Sequence, residues 1–172
     1  MNAPVPSVDF VHLRLHTEYS LVDGLVRVKE LVARTVALGM PAVAITDQSN
    51  LFALVKFYAA CQGAGVKPIA GCDLWVADGD EDEPTRLTLL VQDEQGYRNL
   101  TELVSRSYVE GQRQARALVR RSWLDGATDG LIALAGGPDG EVARLVAAGH
   151  EDAAAEALRG WLARFPDRFY LE

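Results

Sequence analysis

The sequence predicts an α/β fold with a mainly parallel sheet or barrel, and three observations carry that prediction. Short apolar runs of strand length alternate along the chain with segments whose apolar residues recur every three or four positions. Glycine and proline follow several of the periodic segments, as they follow helix ends. Residues 42–45, Ala-Val-Ala-Ile, are apolar without alternation, the pattern of a strand covered on both faces.

Residues 10–15 combine aromatic and β-branched side chains ahead of a turn-prone stretch ending at Gly24, and read as a first strand carrying His12, Arg14 and His16. Residues 28–38 place Val28, Leu31, Val32, Thr35 and Val36 at helical spacing, with Gly39 and Pro41 as the stop. The strand at 42–45 exits into a loop of Asp47, Gln48, Ser49 and Asn50. Residues 51–62 fit a second helix with Leu51, Leu54, Val55 and Tyr58 on one side, ended by Gly63 and Gly65. A strand over 68–76 follows. Next come the acids Asp78, Asp80, Glu81, Asp82 and Glu83 before Pro84, which like-charge repulsion and the proline make a solvated loop. Residues 86–91 read as a strand and 95–108 as a helix. Arg113, Arg116, Arg120 and Arg121 have near-helical spacing, either a solvated face or a weak phosphate-facing stripe. A strand at 131–135, helices at 141–148 and 151–164, and a strand at 169–171 complete the reading, with no internal repeat or linker.

The 172 residues include 17 Lys plus Arg against 24 Asp plus Glu and 49% apolar residues, the composition of one globular domain. No window approaches the roughly 18 uninterrupted apolar residues of a membrane helix, and residues 1–9 lack the basic start and apolar core of a signal peptide, so a cytoplasmic protein is expected. A net charge of −7 argues against a surface that grips nucleic-acid phosphates throughout. Cys61 and Cys72 form neither a disulfide framework nor a CxxC knuckle and are expected as reduced, partly buried thiols.

In an α/β fold, chemistry collects in loops at the carboxyl ends of parallel strands. The candidates there are Arg14, His16, Asp23, Asp47, Gln48, Asp73 and Arg86, a set short of imidazole for a metal centre. Asp47 has a second reading as a helix cap, Gln48 as a surface side chain, and His12 and His16 as hydrogen-bonded strand residues. Walker, GxGxxG and GxSxG signatures are absent.

Four blocks in order, FVHLRLHTEYSLVDG from Phe10, GMPAVAITDQSNLFALVKFY from Gly39, GAGVKPIAGCDLWV from Gly63 and LTLLVQDEQGYRNL from Leu87, closely resemble the N-terminal PHP (polymerase and histidinol phosphatase) domain of bacterial DNA polymerase III alpha subunits, the C-family replicases. The likeness extends through GLIALAGG from Gly130 and FPDRFYLE from Phe165, over essentially the whole chain. It implies a distorted (β/α) barrel, here incomplete because the chain ends early, with palm, thumb, fingers and clamp-binding regions beyond residue 172. Metal-binding members of that family carry an HxH pair where this chain has Arg14 and His16, a TDHG motif where it has Thr46, Asp47, Gln48 and Ser49, a Glu at Asp73 and a His at Arg86.

A guanidinium has no lone pair for a cation, and an amide oxygen is a weak ligand for zinc or manganese. Arg14, His16, Asp23, Gln48, Asp73 and Arg86 are therefore read as vestigial metal-site positions, with His16, Asp23 and Asp73 as residual ligands. The expected site is ion-paired and metal-poor, Arg14 and Arg86 pairing with Asp23 or Asp73. By resemblance, the parent subunit is a DNA-directed DNA polymerase using Mg²⁺, while this segment binds no cofactor, holds no catalytic residue and docks the proofreading exonuclease subunit within the replicase. The rest of the alpha subunit is its covalent partner, and DNA is reached through that parent. Two alternatives are a metal-dependent phosphoesterase or pyrophosphatase using Zn²⁺ or Mn²⁺, and a small nucleic-acid-binding protein using Arg113 to Arg121.

Overall fold

The computed structural model describes residues 10–21, 23–79 and 82–172. Residues 1–9, whose sequence is unlike a signal peptide, and Asp80 and Glu81 of the acidic run lie outside them. No helix is long and apolar enough to cross a membrane among the described residues.

Among the described residues seven strands form one sheet: β1 (Ala42–Ile45), β2 (Lys67–Ala77), β3 (Thr85–Val91), β4 (Gln112–Arg113), β5 (Arg116–Arg120), β6 (Leu131–Leu134) and β7 (Phe169–Tyr170). They run in the order β4-β5-β2-β3-β6-β7, with β1 paired to β2 off that path. The long strand β2 organises the sheet. β3 takes one edge of β2 across residues 71–76, while β1 and β5 share the other edge in succession, β1 at 67–70 and β5 at 75–77.

The alternation of strands and helices gives parallel pairs at β1–β2, β2–β5 and β6–β7. The sheet is mixed rather than mainly parallel, because β3 runs antiparallel to both β2 and β6 and β4 to β5. The loop from Asp78 to Pro84 is too short for a parallel crossover, so β2 and β3 must reverse direction. The path stays open between β4 and β7 among the described residues, as in a barrel that is not closed.

The sheet is covered by the helices α1 (Val28–Ala37), α2 (Leu54–Ala64), α3 (Glu94–Val109), α4 (Glu141–Ala147) and α5 (Glu151–Arg164). α1 buries Val28, Leu31, Val32 and Thr35, the face expected from spacing. α3 starts at Asp93, whose carboxylate accepts the Gly96 amide at 2.9 Å, and buries Leu100, Leu103, Val104 and Ser107. The main core lies between α3, α4, α5 and the face of the sheet carrying Cys72, Leu74, Val76, Leu87, Leu89 and Val119. Trp161 stacks on Phe169 there, ring centres 6.0 Å apart. A second core joins α1 and α2 to Val43 and Ile45.

Three expectations change. Residues 10–16 are extended but form no strand: the Ala44 and Thr46 amides donate to His12 and Leu15 carbonyls, while the Leu15 amide turns to the Thr46 hydroxyl at 2.9 Å, which breaks the ladder. α2 begins at Leu54 because Asn50 Oδ1 caps the Phe52 amide in a turn. It buries Phe57 and Cys61 with Leu54 packed beside them, while Val55 and Tyr58 are exposed. Val55 and Tyr58 instead line an open apolar cleft of about 1400 Å³ with Leu13, Ile69, Leu90 and Ile132. The arginines from Arg113 to Arg121 lie on a β4–β5 hairpin and a 3₁₀ turn, not a helix, because Gln114 and Ala115 take positive φ and fold the chain back.

Candidate functional site

Alternation along β2 sends Asp73 and Trp75 to the face opposite the main core, across from Thr88 and Arg86 of β3. Asp73 is fully buried. A buried carboxylate is tolerable only when its oxygens are paired, and here both are. Asp73 Oδ2 accepts from Arg14 Nη2 at 2.9 Å, Arg86 Nη1 at 2.6 Å and His16 Nε2 at 3.0 Å, and Oδ1 accepts from the Thr88 hydroxyl at 3.0 Å.

The extended segment 10–16 sets Arg14 and His16 on one face, with Leu15 on the other against the second core. The loop after it brings in Asp23, whose Oδ2 lies 2.9 Å from His16 Nδ1 and 3.5 Å from Arg86 Nη2. Gln48, on the exit loop of β1, offers Oε1 to Arg86 Nη2 at 3.3 Å, so it belongs to the site rather than to the outer surface. A backbone bridge between Gln48 and Asp73 fixes this arrangement, the Ser49 amide donating to the Asp73 carbonyl at 2.9 Å. The six residues Arg14, His16, Asp23, Gln48, Asp73 and Arg86 therefore meet in one pocket.

Asp47 and His12 do not enter it. Asp47 is buried and is not a helix cap: it accepts from the Thr17 amide (2.6 Å), the Thr17 hydroxyl (2.8 Å to Oδ2) and the Ser20 hydroxyl (2.8 Å), clamping the loop that carries Asp23. Gly24 closes that loop, since a Cβ there would stand 1.7 Å from the Thr17 carbonyl oxygen. His12 packs edge-on against Phe10, ring centres 4.8 Å apart.

Two carboxylates of the pocket escaped the sequence reading. Glu172, just past β7, holds Arg14 Nη1 at 3.1 Å, and Asp139, on a 3₁₀ turn after β6, lies 3.7 Å from Arg86 Nε. Both follow strands, so the strand-end rule applied to β6 and β7 as strictly as to β1 and β2 would have found them.

Electrostatics follows the geometry. Burial alone would raise the Asp73 pKa, but His16, Arg14 and Arg86 prevail and hold it at about 2. Burial pulls the His16 imidazole down, and its bonds to Asp73 and Asp23 outweigh that and raise it above 6.5. Behind the site, burial pushes the Cys72 thiol well up, and both Cys61 and Cys72 are free and buried.

A divalent ion needs converging lone pairs. Each His16 nitrogen is bonded to a carboxylate, Asp73 Oδ2 already accepts three N–H groups, and Gln48 Oε1 faces a guanidinium. The donor set does not fit a divalent ion, and no cluster of three or more His, Cys, Asp or Glu suited to one occurs among the described residues.

The arginines of the basic stripe contact other parts of the fold. Arg113 donates to the Gly79 and Asp82 carbonyls, Arg121 pairs with Asp78 at 2.9 Å and Glu141 at 2.8 Å, and Arg116 and Arg120 lie against Trp75 and Trp123.

Residues 12–172 match the family model of the PHP domain. The chain is 54% identical over 167 residues to the DNA polymerase III subunit alpha of Pseudomonas aeruginosa, covering 96% of this chain and 14% of that one. It is 47% identical over 164 residues to the Escherichia coli subunit of the same name, covering 95% and 14%. Among solved structures, an amidohydrolase from Chromobacterium violaceum with bound sulfate and no metal shares 21% identity at a TM-score of 0.44, over 55% of this chain and 32% of that one. The chain thus spans about 14% of the length of the curated relatives it matches.

Proposed function

Because the chain belongs to the PHP domain family, we propose that it is the N-terminal PHP portion of a replicative DNA polymerase alpha subunit, in which it is a metal-poor structural domain that docks the proofreading exonuclease subunit. Template-directed DNA synthesis, with Mg²⁺ held by aspartates elsewhere in the subunit, is the activity of the whole protein on this reading, in a cytoplasmic replicase. The identity to alpha subunits over 95–96% of the chain supports that setting.

The observation that carries the metal-poor role is the pairing of Arg14 and Arg86 with the single buried oxygen Asp73 Oδ2. A guanidinium fork supplies fixed positive charge to a carboxylate bidentately or in combination, without leaving an open position for water. Metal-assisted phosphoester hydrolysis requires such a water on an exposed ion, so the pocket is suited to rigidity rather than turnover. It ties together residues from the first segment, β2, β3 and the stretch after β7.

The test is a calorimetric titration with Mn²⁺ and Zn²⁺ of the chain and of the variant Arg14→His, Gln48→His, Arg86→His, with circular dichroism to verify folding. The variant is expected to bind and the parent chain to show no binding up to about 1 mM. Stoichiometric binding by the parent chain refutes the metal-poor reading. Docking is checked separately by titrating the exonuclease subunit into the same chain.

A further inference from the structure

Arg86 is held at every donor but one. Its Nη1 donates to Asp73 Oδ2 at 2.6 Å, its Nη2 to Gln48 Oε1 at 3.3 Å and Asp23 Oδ2 at 3.5 Å, and its Cζ lies 4.4 Å from the centre of the Trp75 ring. Nε is shielded from solvent and has no hydrogen-bond partner among the described residues. Buried donors are nearly always satisfied, and one left without an acceptor costs stability. A guanidinium bonded at both ends and stacked on an indole cannot turn to find an acceptor, so the acceptor has to come to Nε.

Asp139 is placed to do so. Its Oδ2 stands 3.7 Å from Arg86 Nε, past hydrogen-bond length, and a shift of about 0.7 Å would make an ordinary N–H···O bond. Arg144 draws it the other way, with Nη2 3.6 Å from Asp139 Oδ1. Arg144 is fixed in turn by the loop before β3: its Nη1 donates to the Pro84 carbonyl at 3.1 Å and meets Glu83 Oε1 at 3.2 Å. Charges thus alternate from the pocket to the surface through Asp73, Arg86, Asp139, Arg144 and Glu83. Asp139, half exposed on a single 3₁₀ turn, is the member shared between two guanidinia and hydrogen-bonded to neither.

We propose that Asp139 is a two-position latch, closing on Arg86 Nε or leaning out to Arg144, and that the charge of Glu83 on the surface loop sets its position. Glu83 and Asp139 compete for one guanidinium. Neutralised by Glu83, Arg144 draws less on Asp139, which is then free to satisfy Nε. With Glu83 uncharged, Arg144 pulls Asp139 outwards and Nε is left bare. The acidic loop thereby acts on the buried Asp73 pocket through side chains alone, and a cation bound by Glu83 loosens Arg86 in the same direction as loss of its charge.

The test follows the Arg86 Nε–H resonance of the chain, assigned with Arg86→Lys or, where that variant fails to fold, from its proximity to the Trp75 ring protons. In Arg144→Ala the latch closes: the resonance moves downfield and its exchange with solvent slows about fivefold, the gain of one hydrogen bond. Glu83→Gln moves it upfield and speeds exchange. Both responses disappear in an Asp139→Ala background. Glu83 and Arg144 lie towards the surface, so their variants leave the cores intact. An unmoved resonance in Arg144→Ala, shifts of the same sign in Arg144→Ala and Glu83→Gln, or responses that persist without Asp139 each overturn the proposal.

Discussion

Replacing Asp73 by Asn removes one negative charge from beneath two guanidinia and an imidazole while keeping the shape of the side chain. A carboxyl held at about 2 instead of its ordinary 3.8 contributes roughly 2.5 kcal/mol of stability once the pH is above the ordinary value. The cations left behind add to the loss. Arg14 retains Glu172 and is about a quarter exposed, but the Arg86 side chain is only 10% exposed and has no equivalent replacement for Asp73. Breaking a buried pair costs about 3–5 kcal/mol in comparable settings, and the total expected for Asp73→Asn at pH 5 is about 3–4 kcal/mol, read from urea unfolding. The sign with pH is fixed. A depressed carboxyl stabilises above its unfolded pKa and loses that contribution as pH falls through the folded value, so the difference between parent and variant should shrink by about 1 kcal/mol from pH 5 to pH 3. Comparing those two pH values keeps His16 protonated in both. A difference below about 1 kcal/mol at pH 5, or one that does not change by pH 3, refutes the claim that the charge of Asp73 holds the pocket together.

His16 gives the opposite sign: its folded pKa is raised, so its contribution is fully present below 6.5 and is lost as pH rises through the folded value. An NMR titration of its ring protons should show a midpoint above 6.5 that falls in Asp23→Asn, and a midpoint at or below 6.5 contradicts the bridging geometry. Asp47→Ala strands the Thr17 amide and the Thr17 and Ser20 hydroxyls, which should cost about 1–3 kcal/mol and speed hydrogen exchange at Thr17. Unchanged exchange there would show that the loop does not depend on Asp47.

Local signals served the elements well. α5 spans the residues its pattern outlines, and β1, apolar at all four positions, is buried at all four. They failed where partners decide. Residues 10–16 have strand composition, but one amide captured by the Thr46 hydroxyl interrupts the ladder. The arginines at 113, 116, 120 and 121 fit a helical period, while two consecutive positive-φ residues between the first pair turn the segment into a hairpin. In the pocket, pairing of Arg14 and Arg86 with a carboxylate follows from charge, and Asp73 is the carboxylate that takes both. Asp139 and Glu172 follow strands, as the other site residues do, but that they reach this pocket depends on β6 pairing with β3 and β7 with β6, a relation between distant segments.

The length of β2 sets a constraint on how this sequence can change. One strand supplies the main core with Cys72, Leu74 and Val76 and the pocket with Asp73 and Trp75, while β1 and β5 grip it on the same edge at different heights. Deleting or inserting a single residue between Lys67 and Asp73 would slip the strand by half a pleat repeat and exchange its faces, driving a carboxylate and an indole against α3 and turning Leu74 towards Arg86. Changes of two residues preserve the alternation. Length variation in this strand should therefore come in even steps, whereas the loop from Asp78 to Pro84 can vary by any number.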